Sequence, residues 1–116
     1  MKAIYWQRGE TLDYTPTAPF FTAAVVNLGT RVGVAGSDIA AGEQGQVHVV
    51  GVFEMDKDTS VAIAMGATVY YDAANDVITT VASTGADQNK VDNIPAGYAS
   101  AAAVAADTTV LVKLLG

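Results

Sequence analysis

Apolar and polar residues alternate along this chain in a way that predicts short β-strands. From Thr11 to Thr15, Leu12 and Tyr14 alternate with polar residues, which is the two-residue period of a half-buried strand. Segment 46–54 is largely apolar on both faces, so we expect one strand running through the middle of a sheet. Apolar runs punctuated by Gly, Asn and Asp turns are typical of a small barrel or sandwich.

The predicted elements cover most of the chain. Pro16 and Pro19 have no backbone N–H to donate to a neighbouring strand, so 16–22 is a predicted loop. Segment 68–81 is a predicted β-hairpin with its turn at 73–76, and the polar segment 83–93 is a predicted loop. The predicted strands, in chain order, are 3–7, 11–15, 24–28, 31–35, 46–54, 68–72, 77–81, a strand that starts at 95–98, and 108–115.

Two segments are ambiguous between helix and strand. Ser60 is a candidate N-cap for a short helical turn that ends at Gly66. Segment 99–106 is rich in alanine and has the highest helix propensity in the chain. Because Gly97 precedes it, we predict a strand and a turn there instead.

Composition supports a folded chain. The 116 residues are 51% hydrophobic and 16% charged, which is too apolar for a disordered protein and suits one compact domain. We therefore expect an all-β, small single-domain β-barrel or β-sandwich-like fold over residues 1–116, with at most a short helical turn.

The charge balance excludes several partners. A net charge of −6 with only six basic residues provides no patch for nucleic-acid phosphates and no polybasic membrane anchor. The start of the chain lacks the apolar run of a signal peptide, and 96–106 is too short to cross a bilayer. The expectation is a soluble protein made in a cytoplasm, with no nucleic-acid or membrane partner.

No segment has the pattern of a catalytic or metal site. With no cysteine there is no thiolate ligand or nucleophile. His48 is the single histidine and lacks a triad context, so we interpret it as a half-buried or surface strand residue. The acidic pairs Asp56/Asp58 and Asp72/Asp76 lack the ligand order of a calcium loop and are interpreted as turn residues. We predict no catalytic residue, no cofactor and no bound metal.

Aromatic residues are concentrated in the N-terminal part, at Tyr5, Trp6, Tyr14, Phe20 and Phe21. They could form the core, an interface with another protein, or a stacking platform for single-stranded nucleic acid, which the acidic charge disfavours. Two adjacent rings in a loop cannot easily face one core, so Phe20 and Phe21 are expected to be an exposed pair. All five are candidate interface residues.

An ordered set of sequence pieces extends over nearly the whole chain: GETLDYTP (9–16), VVNLG (25–29), VGVA (32–35), DIAAGEQG (38–45), VGVF (50–53), GATVYYD (66–72), PAGYA (95–99) and VLVKL (110–114). In this order and spacing the chain resembles the capsid cement, or head-decoration, proteins of tailed phages. Segment 83–93 looks like an insertion relative to that pattern.

The resemblance implies a function that the residues alone do not. It implies a short all-β domain on the outer surface of the virion capsid, made in the bacterial host cytoplasm, with no catalytic residues. Its partners would be the major capsid protein and further copies of itself. The first candidate for the homo-oligomer is a trimer and the second is a dimer. Two alternatives remain open: a fibre, spike or tail-associated module, and a module that binds a glycan or protein on the host surface.

Overall fold

The computed structural model describes residues 1–84 and 91–115, and these residues form strands and no helix. The predicted all-β fold is confirmed. The strands are β1 Thr11–Tyr14, β2 Val25–Asn27, β3 Val32–Ala35, β4 Gly45–His48, β5 Val52–Asp56, β6 Thr68–Asp72, β7 Val77–Thr79, β8 Ser83–Thr84, β9 Val91–Asp92, β10 Ile94–Ala99 and β11 Thr109–Leu114.

The strands form two principal antiparallel sheets. The four-stranded sheet has the order β1-β4-β3-β2, and the five-stranded sheet has the order β5-β11-β10-β6-β7; β8 and β9 pair separately. The five-stranded sheet curls until its terminal strands β5 and β7 approach each other. They are joined by an isolated parallel bridge between Lys57 and Ile78, where Asp58 N donates to Ile78 O at 2.9 Å. The barrel is therefore left open along the rest of this seam.

Strand β3 lies between two apolar clusters and is buried along its whole length. On one face Val32 and Val34 join the first cluster, which consists mainly of five-stranded-sheet residues such as Val69 and Val112. Ala35 belongs to the second cluster, with Val26, Ile39, Val47 and Val49. Full burial of a valine side chain contributes about 1.5–3 kcal/mol, so both clusters matter for stability.

The prediction of one central strand over 46–54 is wrong. The segment forms β4 in the four-stranded sheet and β5 at the edge of the five-stranded sheet. Gly51 lies at the corner between them with φ +127°, a conformation that side-chain-bearing residues rarely adopt. Segment 46–54 as a whole is largely apolar on both faces, so the pattern alone does not reveal the corner.

Gly97 lies at a bulge in the middle of the five-stranded sheet. The register between β10 and β6 shifts between Pro95 and Gly97, and Gly97 has φ +145°. A Cβ on Gly97 would lie 1.9 Å from the carbonyl oxygen of Lys113, so only glycine fits here. The predicted terminal pair of strands is confirmed as β10 and β11, and the predicted hairpin over 68–81 as β6 and β7.

Three local predictions are decided by hydrogen bonding. Segment 3–7 is not a strand, because no neighbouring strand pairs with it in the described structure. The helical turn capped by Ser60 is wrong: Ser60 N and Oγ donate to Asp58 Oδ1 at 2.8 and 2.7 Å in an Asx turn. Segment 99–106 has no helix, as predicted, and a turn at 105–106, but the predicted strand is wrong beyond Ala99, where β10 ends; Ala103 forms only an isolated bridge with Ile63 through two backbone hydrogen bonds.

The predicted loop over 83–93 is wrong at both ends. Ser83–Thr84 pairs with Val91–Asp92 as a short antiparallel ladder. The side-chain amide of Asn93 also donates to the carbonyl of Val81 at 2.8 Å. The middle of that prediction, 85–90, lies outside the described residues.

Candidate interaction surface

The five candidate aromatic residues separate into two groups. Tyr14 and Phe20 are half-buried, with ring centroids 6.2 Å apart at an interplanar angle of 59°, and both pack against the second apolar cluster. The loop carrying Phe20 is held by a two-way backbone bridge, since Phe20 N donates to Ile39 O and Ile39 N donates to Phe20 O. Of the three interpretations of the aromatic residues, packing in the core is the one that fits these two rings.

The other three aromatic residues are exposed. Tyr5 and Trp6 are 82% and 85% exposed on residues 1–9, which we call the N-terminal arm. Phe21 is 75% exposed, whereas Phe20 is half-buried, so the expected exposed pair is wrong for Phe20. The bridge at Phe20 fixes one ring inward and leaves the next residue pointing away. Large apolar side chains on a loop and an arm are typical of contact sites rather than of packing.

The N-terminal arm and the rest of the chain have opposite charge. The arm carries Lys2 and Arg8 and none of the 12 acidic residues. Arg8 Nη1 lies 3.7 Å from Glu10 Oε1, but both side chains are exposed, so this pair contributes little to stability. The arm is therefore a basic, aromatic segment attached to an acidic body.

A cleft of about 280 Å³ opens along the seam between β5 and β7. Its walls include the terminal strand β2 of the other sheet, and its lining combines apolar side chains with carboxylates: Ala23, Ala24, Val25, Val34, Phe53, Glu54, Met55, Asp56, Tyr71, Asp76, Val77 and Ile78. The Tyr71 hydroxyl donates to Asp76 Oδ1 inside it. Burial, followed by this hydrogen bond and by the charges of Asp76 and Asp72, raises the pKa of Tyr71 well above its usual value.

One acid of each predicted turn pair, Asp58 or Asp72, accepts hydrogen bonds from the backbone of its own turn. The turn interpretation is wrong for Asp56, which lies in β5. Asp72 accepts hydrogen bonds from Ala74 N and from the backbone and side chain of Asn75. Hydrogen bonds from Ser60 lower the pKa of Asp58, with a smaller contribution from the charge of Lys57. Over the residues that the structure describes, no three His, Asp or Glu side chains come close enough to hold a metal ion.

His48 lies at the end of β4 and is half-buried. Its ring centroid is 6.0 Å from that of Phe53, at an interplanar angle of 40°. This agrees with the interpretation of a strand histidine. His48 has one ladder partner on each side, Val34 on β3 and Thr11 on β1, and neither partner is an acidic residue.

Lys57, which the sequence pattern did not single out, is only 3% exposed. Its ammonium donates to the carbonyl oxygens of Asp58, Ala105 and Asp107 at 2.8, 2.9 and 3.3 Å. The flanking acids make the segment look like a solvated turn. The two-residue period from Phe53 through Met55 places Lys57 on the inward face of the strand. This period was the sequence feature that could have indicated a buried lysine.

The described structure is thus a small all-β protein whose three most exposed aromatic residues, Tyr5, Trp6 and Phe21, lie on an arm and a loop. No helix within residues 1–84 and 91–115 is long and apolar enough to cross a membrane. The chain belongs to the phage cement protein family, whose model matches residues 6–114. Members of this family are structural proteins associated with the phage capsid. No curated protein and no solved structure matches the chain significantly.

Proposed function

We propose that this protein binds the outer surface of a phage or prophage capsid and stabilises it by bridging neighbouring capsid subunits, without catalysing a reaction. The observation that carries the proposal is the match of the cement-protein family over residues 6–114. Each copy that contacts two capsid subunits adds binding free energy that opposes the outward pressure of packaged DNA. The protein is made in the host cytoplasm and binds the capsid as a homo-oligomer. A trimer is the first candidate for that oligomer and a dimer is the second.

Three of the candidate aromatic residues are the proposed contacts: Phe21 with a capsid subunit, and Tyr5 and Trp6 with a capsid subunit or a neighbouring copy. Tyr5, Trp6 and Phe21 expose large apolar surfaces, and buried aromatic residues dominate the binding energy of many interfaces. Tyr14 and Phe20 support them from inside, since both pack on the second cluster and fix the loop that presents Phe21.

Cosedimentation with purified, tailless heads that lack this protein tests the proposal. The wild type is expected to saturate the heads. Trp6→Ala and Phe21→Ala should each weaken binding about tenfold or more, which corresponds to about 1.4 kcal/mol or more at an aromatic contact. Met65→Ala is a matched control because Met65 is also exposed, on a loop that the proposal does not use.

Each result has a distinct meaning. If the wild type does not bind tailless heads, or binds only tails, the capsid function is wrong. If the two aromatic variants bind as tightly as the Met65→Ala control, the contact surface is wrong although the function stands. Single substitutions are needed because Phe20→Ala would also remove packing from the second cluster.

A further inference from the structure

We propose that the cleft between β2, β5 and β7 of one copy receives the N-terminal arm of a neighbouring copy. The inference rests on the proposed self-association and names the two surfaces that join. It is independent of which capsid site the oligomer occupies.

The cleft lies where three terminal strands meet. β5 and β7 are the two ends of the five-stranded sheet, and β2 is one end of the four-stranded sheet. Segments from all three line the cleft. Edge strands offer backbone N–H and C=O groups to an added extended segment, whatever its side chains.

The hydrogen-bond alternation directs two backbone positions towards this opening. Lys57 N donates to Thr108 O and Leu114 N donates to Gly51 O, so the odd-numbered residues of β5 pair with β11. Because pairing alternates along an antiparallel ladder, the N–H and C=O of Glu54 point away from β11, towards the seam.

The same alternation applies to β2. Ala35 N donates to Ala24 O, and Leu28 N donates to Arg31 O, so the backbone groups of Val25 point away from β3. Val25 and Glu54 both line the cleft. An extended segment in the cleft can therefore form backbone hydrogen bonds on two sides.

The N-terminal arm has properties that complement those of the cleft. It is exposed, forms no strand, and carries the aromatic side chain of Trp6 close to the basic Arg8. The cleft offers an apolar lining that includes Phe53 and Met55, together with the carboxylates of Glu54, Asp56 and Asp76. Opposite charges and matching apolar surface both favour the arm as occupant.

The position of the arm favours exchange between copies. The arm leads into β1, which is the terminal strand of the four-stranded sheet opposite β2. Three strand spacings of about 4.8 Å separate these two edges, so an arm that enters its own cleft must cross the face of its own sheet. An arm that enters a neighbour's cleft joins two different surfaces, as in a ring of subunits or a reciprocal exchange.

Crosslinking between copies tests the inference, and the absence of cysteine from the wild type makes it specific. Copies carrying Trp6→Cys are mixed with copies carrying Glu54→Cys and treated with a bis-maleimide whose spacer of about 10 Å tolerates a shift of roughly three residues along the arm. The control mixture replaces Glu54→Cys by Met65→Cys. Trp6, Glu54 and Met65 are all exposed, so folding is preserved. Both mixtures are tested in solution, and on heads at a protein concentration raised to offset the weaker binding expected of a variant at Trp6.

The expected result is a covalent dimer formed several-fold more from the Trp6→Cys and Glu54→Cys mixture than from the control. Equal yields, or no dimer in either setting, would overturn the inference. So would an intrachain link in a dilute Trp6→Cys/Glu54→Cys double variant without a link between copies, or an arm that links to the capsid protein instead. Binding of the wild-type chain to heads is scored separately, so a failure of the capsid function is not confused with a failure of the arm exchange.

Discussion

Lys57 ties the end of β5 to the loop that precedes β11. All three ammonium hydrogens have carbonyl acceptors, in Asp58, Ala105 and Asp107, so the buried charge is satisfied. The isolated parallel bridge to β7 is centred on the same residue, and its hydrogen bond is donated by the next residue, from Asp58 N to Ile78 O. The side chain therefore joins the end of β5 to the loop before β11, at the point where the backbone of β5 also reaches β7.

Replacing this lysine should cost more than replacing an ordinary surface lysine. Lys57→Met keeps the apolar stem but leaves three carbonyl groups without their donor, and we expect a loss of about 2–4 kcal/mol in the free energy of unfolding. Lys113→Met is the control, because Lys113 is half-buried and its ammonium has no comparable acceptors among the described residues. Urea denaturation measures both variants, and equal losses would contradict the role assigned to Lys57.

Tyr71 should make stability fall at alkaline pH. Its pKa is raised in the folded protein, so above pH 10, the ordinary tyrosine value, the unfolded chain loses the proton first. The unfolded state then binds fewer protons than the folded state, and the free energy of unfolding decreases by up to about 1.4 kcal/mol per pH unit. Below pH 10 this contribution is fully present.

The test is the slope of stability against pH between 9 and 11.5, measured by urea denaturation. Tyr71→Phe should flatten the slope above pH 10, while costing about 1 kcal/mol at neutral pH through the lost hydrogen bond to Asp76. Tyr5→Phe is the control, since Tyr5 is exposed on the arm. If both variants keep the wild-type slope, Tyr71 is not its source.

Among the elements, β10 depends on a single glycine. Gly97→Ala combines a positive φ with a Cβ placed 1.9 Å from Lys113 O, so the central strands must separate. Gly42→Ala is a matched control, because Gly42 also has positive φ but nothing lies within 4 Å of the added atom. We expect about 1–2 kcal/mol for Gly42→Ala from backbone strain alone and at least twice that for Gly97→Ala, up to failure to fold. Similar losses in thermal melts would contradict the steric argument.

The sequence predicts an element well where its two faces differ or where turn residues mark its ends. β1 and the β6–β7 hairpin were predictable for these reasons, and so was the final strand pair. The corner at Gly51 was not, because a strand that is apolar on both faces looks the same whether it stays in one sheet or passes between two. Segment 3–7 has strand-like residues but pairs with no strand within residues 1–84 and 91–115, and a local pattern cannot reveal whether a partner exists.

The candidate surface was predictable only in part, for a similar reason. The aromatic residues could be identified, and the loop around Phe20 and Phe21 could be expected to place at least one ring outside. Which ring is exposed depends on the bridge between Phe20 and Ile39, a contact between distant segments. The cleft also could not be predicted, since it arises where the edges of two different sheets meet.

At the scale of the whole molecule, β3 connects the two sheets. It pairs within the four-stranded sheet, while Val32 and Val34 pack into the cluster formed by the five-stranded sheet, and Ala35 belongs to the other cluster. Neither sheet can lose its packing without exposing part of β3. We therefore predict that residues 1–116 unfold as a single cooperative domain.

Two matched core truncations test this prediction. Val69→Ala removes two methyl groups from the first cluster and Val47→Ala removes two from the second, at positions that are 0% and 1% exposed. Each should lower the free energy of unfolding by about 1.5–3 kcal/mol, and each should shift one and the same transition in far-UV and near-UV circular dichroism. Independent sheets would instead give two transitions, with Val47→Ala moving one and Val69→Ala the other. A shared transition means that a capsid contact beside the four-stranded sheet, through Phe21, also stabilises the five-stranded sheet, because ligand binding to the folded state stabilises the whole cooperative unit.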